Sequence, residues 1–256
     1  MLPAPSPVLR LRLAALGTLW RCRASWQLPA PRALMQRERD HALAAMMPAI
    51  VVLACIVGLG LFVTLPMTLA DAYGTALAAL WPAWVTQAAP LVAALMLALQ
   101  RMPALALAMQ QRQQRGEFEA LAAVNANPAV YPCVPMLVAH AVVGGAASML
   151  LTACTLVAGF VAALAAGVGD LGNTLEAVFI LVSPVDLLRG LGSGVVLGLL
   201  CSLSTVLHVW PGTQGATHGL QAHRLGMRTM LLSALVVFAA ALVMNRITGW
   251  LMAAAT

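Results

Sequence analysis

The sequence predicts an all-α integral membrane protein with an N-terminal interfacial amphipathic helix and about five transmembrane helices. Two observations lead to this fold class. The 256 residues are 62% hydrophobic and only 9% charged, whereas charged residues make up about 25% of a typical soluble domain. Long apolar runs also alternate with short polar segments, and about 20 consecutive apolar residues are enough for a helix to cross a bilayer.

The formal net charge of +6 comes from 14 basic residues, all of them arginine, against eight acids. A basic excess can indicate nucleic-acid binding, but these arginines cluster at the ends of apolar runs, which is typical of a membrane protein. Without lysine the chain has no Walker A motif, G-x-x-x-x-G-K-[ST]. If the protein uses ATP, the nucleotide site is therefore expected on another polypeptide.

Motifs of enzymes and metal sites are not found in the sequence. It has no H-E-x-x-H and no G-x-S-x-G, so an enzyme is not predicted. The five cysteines are scattered without a CxxC pair, which favours neither a disulfide framework nor a zinc site. His208, His218 and His223 are interpreted as solvated loop histidines rather than metal ligands, and His140 as hydrogen-bonded within the bundle rather than a proton relay. No cofactor or metal is expected.

Residues 1–40 are rich in proline and arginine and are predicted to form an interfacial or cytoplasmic segment. Its leucines recur at roughly helical spacing beside arginines, as in an amphipathic helix that lies in the headgroup plane. A signal peptide and an organelle transit peptide are the alternatives, both less favoured. Residues 41–256 are then the transmembrane domain. The residues of the amphipathic pattern are Leu9, Leu13, Leu16, Leu19 and Trp20, with Trp26 as a second aromatic anchor.

Five apolar runs are predicted to span the bilayer. The first is expected to end at Pro66, and Pro90 and Pro103 are expected to bend the second, because proline cannot donate the helical hydrogen bond. Between these two runs we predict a loop whose Trp81 and Trp84 lie at the bilayer interface. The predicted spans are 42–65, 85–109, 134–166, 187–209 and 227–252, with a short helix at about 174–181 between the third and the fourth.

Glycines in the third and fourth spans predict a close helix contact. Small residues let two helix backbones approach each other in a membrane. The residues concerned are Gly144 and Gly145 in the third span and Gly190, Gly192, Gly194 and Gly198 in the fourth.

A polar helix at 104–124 separates the second and third spans and must lie outside the bilayer, because its charges are costly at bilayer depth. With a cytoplasmic N-terminus, seven arginines precede the first span and five more lie around the two inner loops. Only Arg189 and Arg246 remain outside. The positive-inside rule therefore predicts a cytoplasmic N-terminus and a cytoplasmic 110–127 segment.

Cysteine accessibility tests this topology. We expect a cysteine at Gln113 to be labelled from the cytoplasmic side and one at Thr256 from the opposite side, because five spans place the termini on opposite sides. Labelling of both positions from the same side would contradict the five-span arrangement.

The second span and the polar helix also carry a family resemblance. Gln-Ala-Ala-Pro-Leu-Val-Ala-Ala-Leu at 87–95, the helix at 104–124, Asn127-Pro128 and Pro135 resemble the core of the MlaE permeases. These are the membrane subunits of ABC transporters that move phospholipids with MCE-domain proteins. The similarity continues through 182–208 and the glycine run at 215–220, so that it covers nearly everything after about residue 40.

Several motifs depart from the family pattern. Gln87-Ala88-Ala89-Pro90 stands where the family usually has Glu-Leu-Gly-Pro, and Leu99-Gln100-Arg101-Met102 where it has Gly-Arg-Ala-Gly. The family's next glutamate falls on Ala108, and its Asp-Pro becomes Asn127-Pro128. A non-transporting paralogue that scaffolds or regulates such a complex is therefore kept as the alternative to a permease.

The resemblance implies a lipid cavity formed by a permease dimer, a cytoplasmic coupling helix, and partners. These partners are an ABC ATPase, an MCE-domain periplasmic protein, a second permease subunit, identical or different, and membrane phospholipids in a bacterial inner membrane. Because Thr86 and Gln87 are uncharged, we expect a neutral cavity mouth that favours lipid tails over headgroup pairing. The cavity residues expected are Thr86, Gln87, Pro90, Leu91 and Leu95, and those for ATPase coupling are Arg112, Arg115, Glu117, Phe118 and Leu121.

Overall fold

The computed structural model describes residues 29–69, 72–124, 130–167, 171–209 and 219–254, and within them it contains helices and no strands. The predicted amphipathic helix before residue 29, His218 and Asn127-Pro128 lie outside the described residues. The α-helices are α1 (Pro29–Leu59), α2 (Leu65–Leu69), α3 (Tyr73–Ala83), α4 (Ala89–Gln100), α5 (Met102–Gln114), α6 (Glu117–Ala123), α7 (Val130–Ala166), α8 (Leu171–Leu181), α9 (Pro184–Val209) and α10 (Gly219–Ala254).

Five helical segments among the described residues are long and apolar enough to cross a membrane, as predicted. Span 1 has 38 residues, which at 1.5 Å per residue is about 57 Å, nearly twice the hydrocarbon thickness of a bilayer. Its charged first turns therefore extend beyond the hydrocarbon region. The segments are span 1 (Arg32–Leu69), span 2 (Tyr73–Gln100), span 3 (Cys133–Ala166), span 4 (Pro184–Val209) and span 5 (Arg224–Arg246).

Two of the predicted boundaries are wrong, and π-helical turns explain why. Span 1 continues past Pro66 to Leu69 through a π-helix at Gly60–Thr64, and span 2 contains a second at Trp84–Ala88. A proline stands two residues after the end of each π-helix: Pro66 after the first and Pro90 after the second. A wider turn accommodates a residue that lacks an N–H and would clash with a carbonyl one turn back.

The segment predicted to be a loop before span 2 is helix α3. Its Trp81 does not lie at an interface, because only 2% of the residue is exposed and its ring packs edge-on against Phe62, with ring centroids 5.9 Å apart. Phe62 also contacts Phe160, with centroids 5.2 Å apart. These aromatic residues therefore join spans 1, 2 and 3 in a second, smaller core.

The close helix approach predicted at these glycines is confirmed, and it brings spans 3 and 4 into contact with each other. A Cβ on Gly194 would lie 2.7 Å from the carbonyl oxygen of Gly144, and one on Gly198 would lie 2.5 Å from that of His140. Real Cβ atoms do not come so close to backbone, so these positions must stay glycine for the helices to pack as they do. Gly192 is the exception, since no neighbouring group in the described parts of the chain lies within 4 Å of its Cβ position.

Spans 4 and 5 are joined by buried hydroxyl groups. The Oγ of Ser233 in span 5 lies 3.0 Å from Oγ1 of Thr205 and accepts a hydrogen bond of 3.1 Å from Ser204. Hydrogen bonds of this kind between helices stabilise membrane bundles, because an apolar surround offers no other partner. Together with the glycine contact, they fix span 4 between its two neighbours.

One end of the bundle collects basic residues that the positive-inside rule predicts to be cytoplasmic. Arg101, after span 2, lies 3.7 Å from the carboxylate of Glu38, which precedes the hydrophobic part of span 1. Gly226, in the first turn of span 5, faces Pro103 of α5. We call this the α5 end of the bundle. Arginines that the sequence assigned to one side of the membrane thus lie at one end of the structure.

Candidate functional site: a cavity between four spans

A cavity of about 410 Å³ lies between spans 1, 2, 4 and 5. Its size falls within the roughly 300–1,000 Å³ of small-molecule sites, which are often found between the helices of bundles. Most of its wall is apolar. Its lining residues are Val57, Leu61, Leu80, Ala83, Trp84, Thr86, Gln87, Ala88, Pro90, Leu91, Arg189, Ser193, Leu197, Phe238, Ala241, Leu242, Met244 and Asn245.

The cavity occupies the half of the bundle opposite the α5 end. Its span 2 residues lie between Leu80 and Leu91, well before α5, and its span 4 residues begin about one turn after the start of that helix at Pro184. Leu80, Phe238 and Leu242 line it and yet are 44%, 51% and 54% exposed. The cavity therefore opens to the outside of this single chain along spans 2 and 5.

The local structure of span 2 shapes the cavity wall. In the π-helix at Trp84–Ala88 the N–H of Ala89 donates to the carbonyl of Trp84, five residues back instead of four. Such turns widen a helix and are frequent at functional sites. Within it, the hydroxyl of Thr86 donates a 2.8 Å hydrogen bond to the carbonyl of Pro82. The widened turn thus lies in the part of span 2 that lines the cavity.

A second feature lies at the opposite end, where α5 and α6 connect spans 2 and 3. The first two turns of α5 are apolar and pack into the main core through Met102, Leu105 and Met109. Its last turn and α6 carry the polar residues. The two helices meet at Gly116, whose φ of +70° is the left-handed conformation that glycine adopts without strain. The predicted single helix at 104–124 is therefore two helices with a tight turn between them.

Comparison with protein families matches residues 36–253 to the Permease MlaE model. The chain belongs to the MlaE permease family. As an MlaE permease with five helices able to span a membrane, it is a membrane protein of the lipid transport class. None of the curated proteins compared with this chain matches it.

Four of the five predicted cavity residues lie together on the wall of the cavity in this MlaE permease. Thr86, Gln87, Pro90 and Leu91 all line it, and Gln87 is exposed. Leu95 does not, because it lies one turn further along α4 and packs against the main core instead. The structure thus brings most of these residues to one cavity, while their role in binding lipid remains a prediction.

The neutral cavity mouth predicted from Thr86 and Gln87 does not extend to the whole cavity, because the guanidinium-bearing Arg189 also lines it. Sequence reasoning placed Arg189 on the outer side but did not connect it with the cavity, and it missed Ser193 and Asn245 as well. The face of span 4 that turns towards span 2 is set by packing at Gly190, where a Cβ would lie 2.5 Å from the carbonyl of Val85.

Trp84 adds a polar group without a partner to the cavity wall. It lines the cavity, and its buried Nε1 has no hydrogen-bond acceptor among the described residues. A buried donor that lacks an acceptor costs about 1–3 kcal/mol. An acceptor on a bound ligand would remove that cost.

The predicted coupling residues lie together on α5, α6 and the turn between them, but Phe118 is buried, whereas a direct contact with the ATPase would need it exposed. Only 8% of Phe118 is accessible, and Leu121 is half-buried. Arg112 and Arg115 each lie 4.0 Å from the carboxylate of Glu117, and 73% of the Arg115 side chain is exposed. The exposed surface of this segment is therefore mainly polar.

The histidines do not form a metal site among the described residues. No three histidine, cysteine or acidic side chains come together there. His208 lies in the last turn of span 4 rather than in the predicted loop. His140 is hydrogen-bonded within the bundle, as predicted, with Nδ1 donating to the carbonyl of Met136 at 2.7 Å.

Proposed function

We propose that this chain is the permease subunit of an ABC-type phospholipid transport complex. Two permease subunits, identical or different, would form the lipid pathway, and a separate ATPase would drive it. The observation that carries the proposal is the cavity between spans 1, 2, 4 and 5 in a chain of the MlaE permease family. Its apolar wall suits acyl chains, and its opening along spans 2 and 5 suits entry from a bilayer or continuity with a second subunit.

The two ends of the bundle suit different partners. The polar α5–α6 segment is the surface we assign to the ATPase, which places that end in the cytoplasm of a bacterium and the complex in the inner membrane. The cavity then faces the periplasm, where an MCE-domain protein would exchange lipid with it. Arg101, Arg112 of α5, and Arg224 and Arg228 at the start of span 5 belong to the α5 end, which supports this orientation under the positive-inside rule.

Photocrosslinking in the assembled complex tests the lipid pathway. A crosslinker at Gln87, which is exposed on the cavity wall, is expected to capture phospholipid in an ATP-dependent manner, because transport must empty and refill the cavity. The control is a crosslinker at Leu235 of span 5, which is 66% exposed and lies outside the cavity lining. It should capture bilayer lipid whether or not ATP is present.

Capture of protein alone at Gln87, with lipid captured at Leu235, would show that the cavity is not a lipid site. Lipid capture at Gln87 that does not respond to ATP would favour the non-transporting scaffold. The two results therefore separate an incorrect cavity from a correct cavity in an inactive subunit.

A further inference from the structure

Arg189 is the one ionisable residue among the described residues that line the cavity. It lies five residues after the start of span 4 at Pro184, which is about 8 Å along the helix. That distance places it near the headgroup depth of a bilayer rather than at the centre. Leu197, which lines the same cavity two turns further on, is about 12 Å deeper.

The nearest acid on the same helix is already engaged. Asp186 accepts hydrogen bonds from the backbone N–H of Ser183 at 3.0 Å and from its hydroxyl at 2.8 Å, while the N–H of Asp186 donates to the Ser183 hydroxyl at 3.2 Å. This reciprocal arrangement is a capping box that starts the helix. Within the described residues, no carboxylate lies within ion-pair distance of Arg189.

An arginine without a counter-ion in a mostly apolar cavity is poised for an anionic ligand. Its planar guanidinium matches two oxygens of a phosphate or carboxylate at once, and such bonds strengthen where water is scarce. Other polar lining residues come from three different spans: Gln87 from span 2, Ser193 from span 4 and Asn245 from span 5. Apart from these residues, Thr86 and the ring nitrogen of Trp84, the wall is apolar.

We propose that Arg189 binds the phosphate of a phospholipid headgroup and that the acyl chains run from it towards Leu197. This inference rests on the proposed function and adds to it the part of the lipid that the cavity recognises. The cavity would then discriminate by headgroup, accepting lipids with a phosphate on the glycerol and excluding diacylglycerols that lack one. The relevant chemistry is that of a phosphate, which a lipid and free inorganic phosphate share.

The test compares two lipids with identical acyl chains, phosphatidylglycerol and diacylglycerol, by native mass spectrometry of the purified permease with its partners. Arg189→Gln is expected to lower the retention of phosphatidylglycerol about tenfold or more, because bonds to a charged group are lost, and to leave diacylglycerol retention unchanged. Arg246→Gln is the matched control. Arg246 is exposed on the last turn of span 5 and is not part of the cavity lining.

Each other outcome overturns a specific part of the proposal. Equal loss of both lipids in Arg189→Gln would mean that Arg189 only shapes the cavity, and unchanged retention of both would mean that it binds no headgroup. Inorganic phosphate is added to the same samples as a competitor. If it displaced phosphatidylglycerol whatever the length of the acyl chains, Arg189 would be a site for free anions rather than for a lipid. If the unmodified permease retained neither lipid, the proposed function itself would fail, whereas retention independent of Arg189 would overturn the headgroup inference alone.

Discussion

Replacing Gly194 with alanine is expected to lower the thermal unfolding midpoint of the purified protein by several degrees. The new Cβ would lie 2.7 Å from both the carbonyl oxygen of Gly144 and the hydroxyl of Ser148, so spans 3 and 4 would have to separate. Forcing extra volume into a packed contact costs about 1–3 kcal/mol. For a chain of this size, each kcal/mol shifts the midpoint by about 2–4 °C.

Gly192→Ala is the matched control for this substitution. The position is two residues away on the same helix, and no atom of another described element lies within 4 Å of its Cβ position. Alanine is intrinsically more helical than glycine by about 1 kcal/mol, so Gly192→Ala should leave the midpoint unchanged or raise it. Equal midpoints for the two variants would show that the glycine contact is loose enough to absorb a methyl group.

The glycine contact also bears on the cavity, because span 4 carries Arg189 and Ser193 on the turns beside Gly190 and Gly194. Moving span 4 away from span 3 would shift these polar groups relative to Gln87. A destabilised Gly194→Ala protein should therefore also lose lipid retention, whereas Gly192→Ala should keep it. Span 4 therefore links the packing at Gly194 to the geometry of the cavity.

Hydropathy was sufficient to predict the five spans, because length and composition alone decide whether a helix can cross a bilayer. It failed at the ends of spans 1 and 2. Trp81 was assigned to an interface from its residue type, but the same ring can equally fill a core, as it does against Phe62. The π-helical turns before Pro66 and Pro90 likewise leave no distinct pattern in the sequence.

From the sequence, only the wall of the cavity that span 2 forms could be predicted. The family resemblance pointed to span 2, and four of its predicted residues line the cavity. The opposite wall depends on the rotation of span 4, which the contact of Gly190 with Val85 sets and which periodicity does not reveal. Arg189 could have been suspected, because it is one of two arginines predicted on the outer side and lies near the start of an apolar run.

Removing the Phe118 ring is expected to weaken association with the ATPase about tenfold or more. Phe118 is only 8% exposed, so it acts by holding α6 in place rather than by contacting the partner directly. Truncating a buried phenylalanine costs about 3–5 kcal/mol. A helix of seven residues does not persist without such packing, and its exposed residues would lose their fixed positions.

Arg115→Ala is the comparison for Phe118→Ala, because 73% of the Arg115 side chain is exposed and its contact with Glu117 is long, at 4.0 Å. An exposed charge mainly affects the rate of encounter, so we expect a smaller loss that shrinks further at high salt. Phe118→Ala should weaken association equally at low and high salt. Co-purification of a tagged ATPase at two salt concentrations measures both effects.

The result that would contradict this account is full retention of the ATPase by a variant combining Phe118→Ala with Leu121→Ala. Both side chains are at least partly buried, so the double substitution should unfold α6 completely. An ATPase that still binds would have to dock elsewhere, and the α5–α6 segment would be only a connector between spans 2 and 3. The unfolding midpoint of the double variant provides the control, because spans 1 to 5 pack through a core that does not include Phe118 or Leu121.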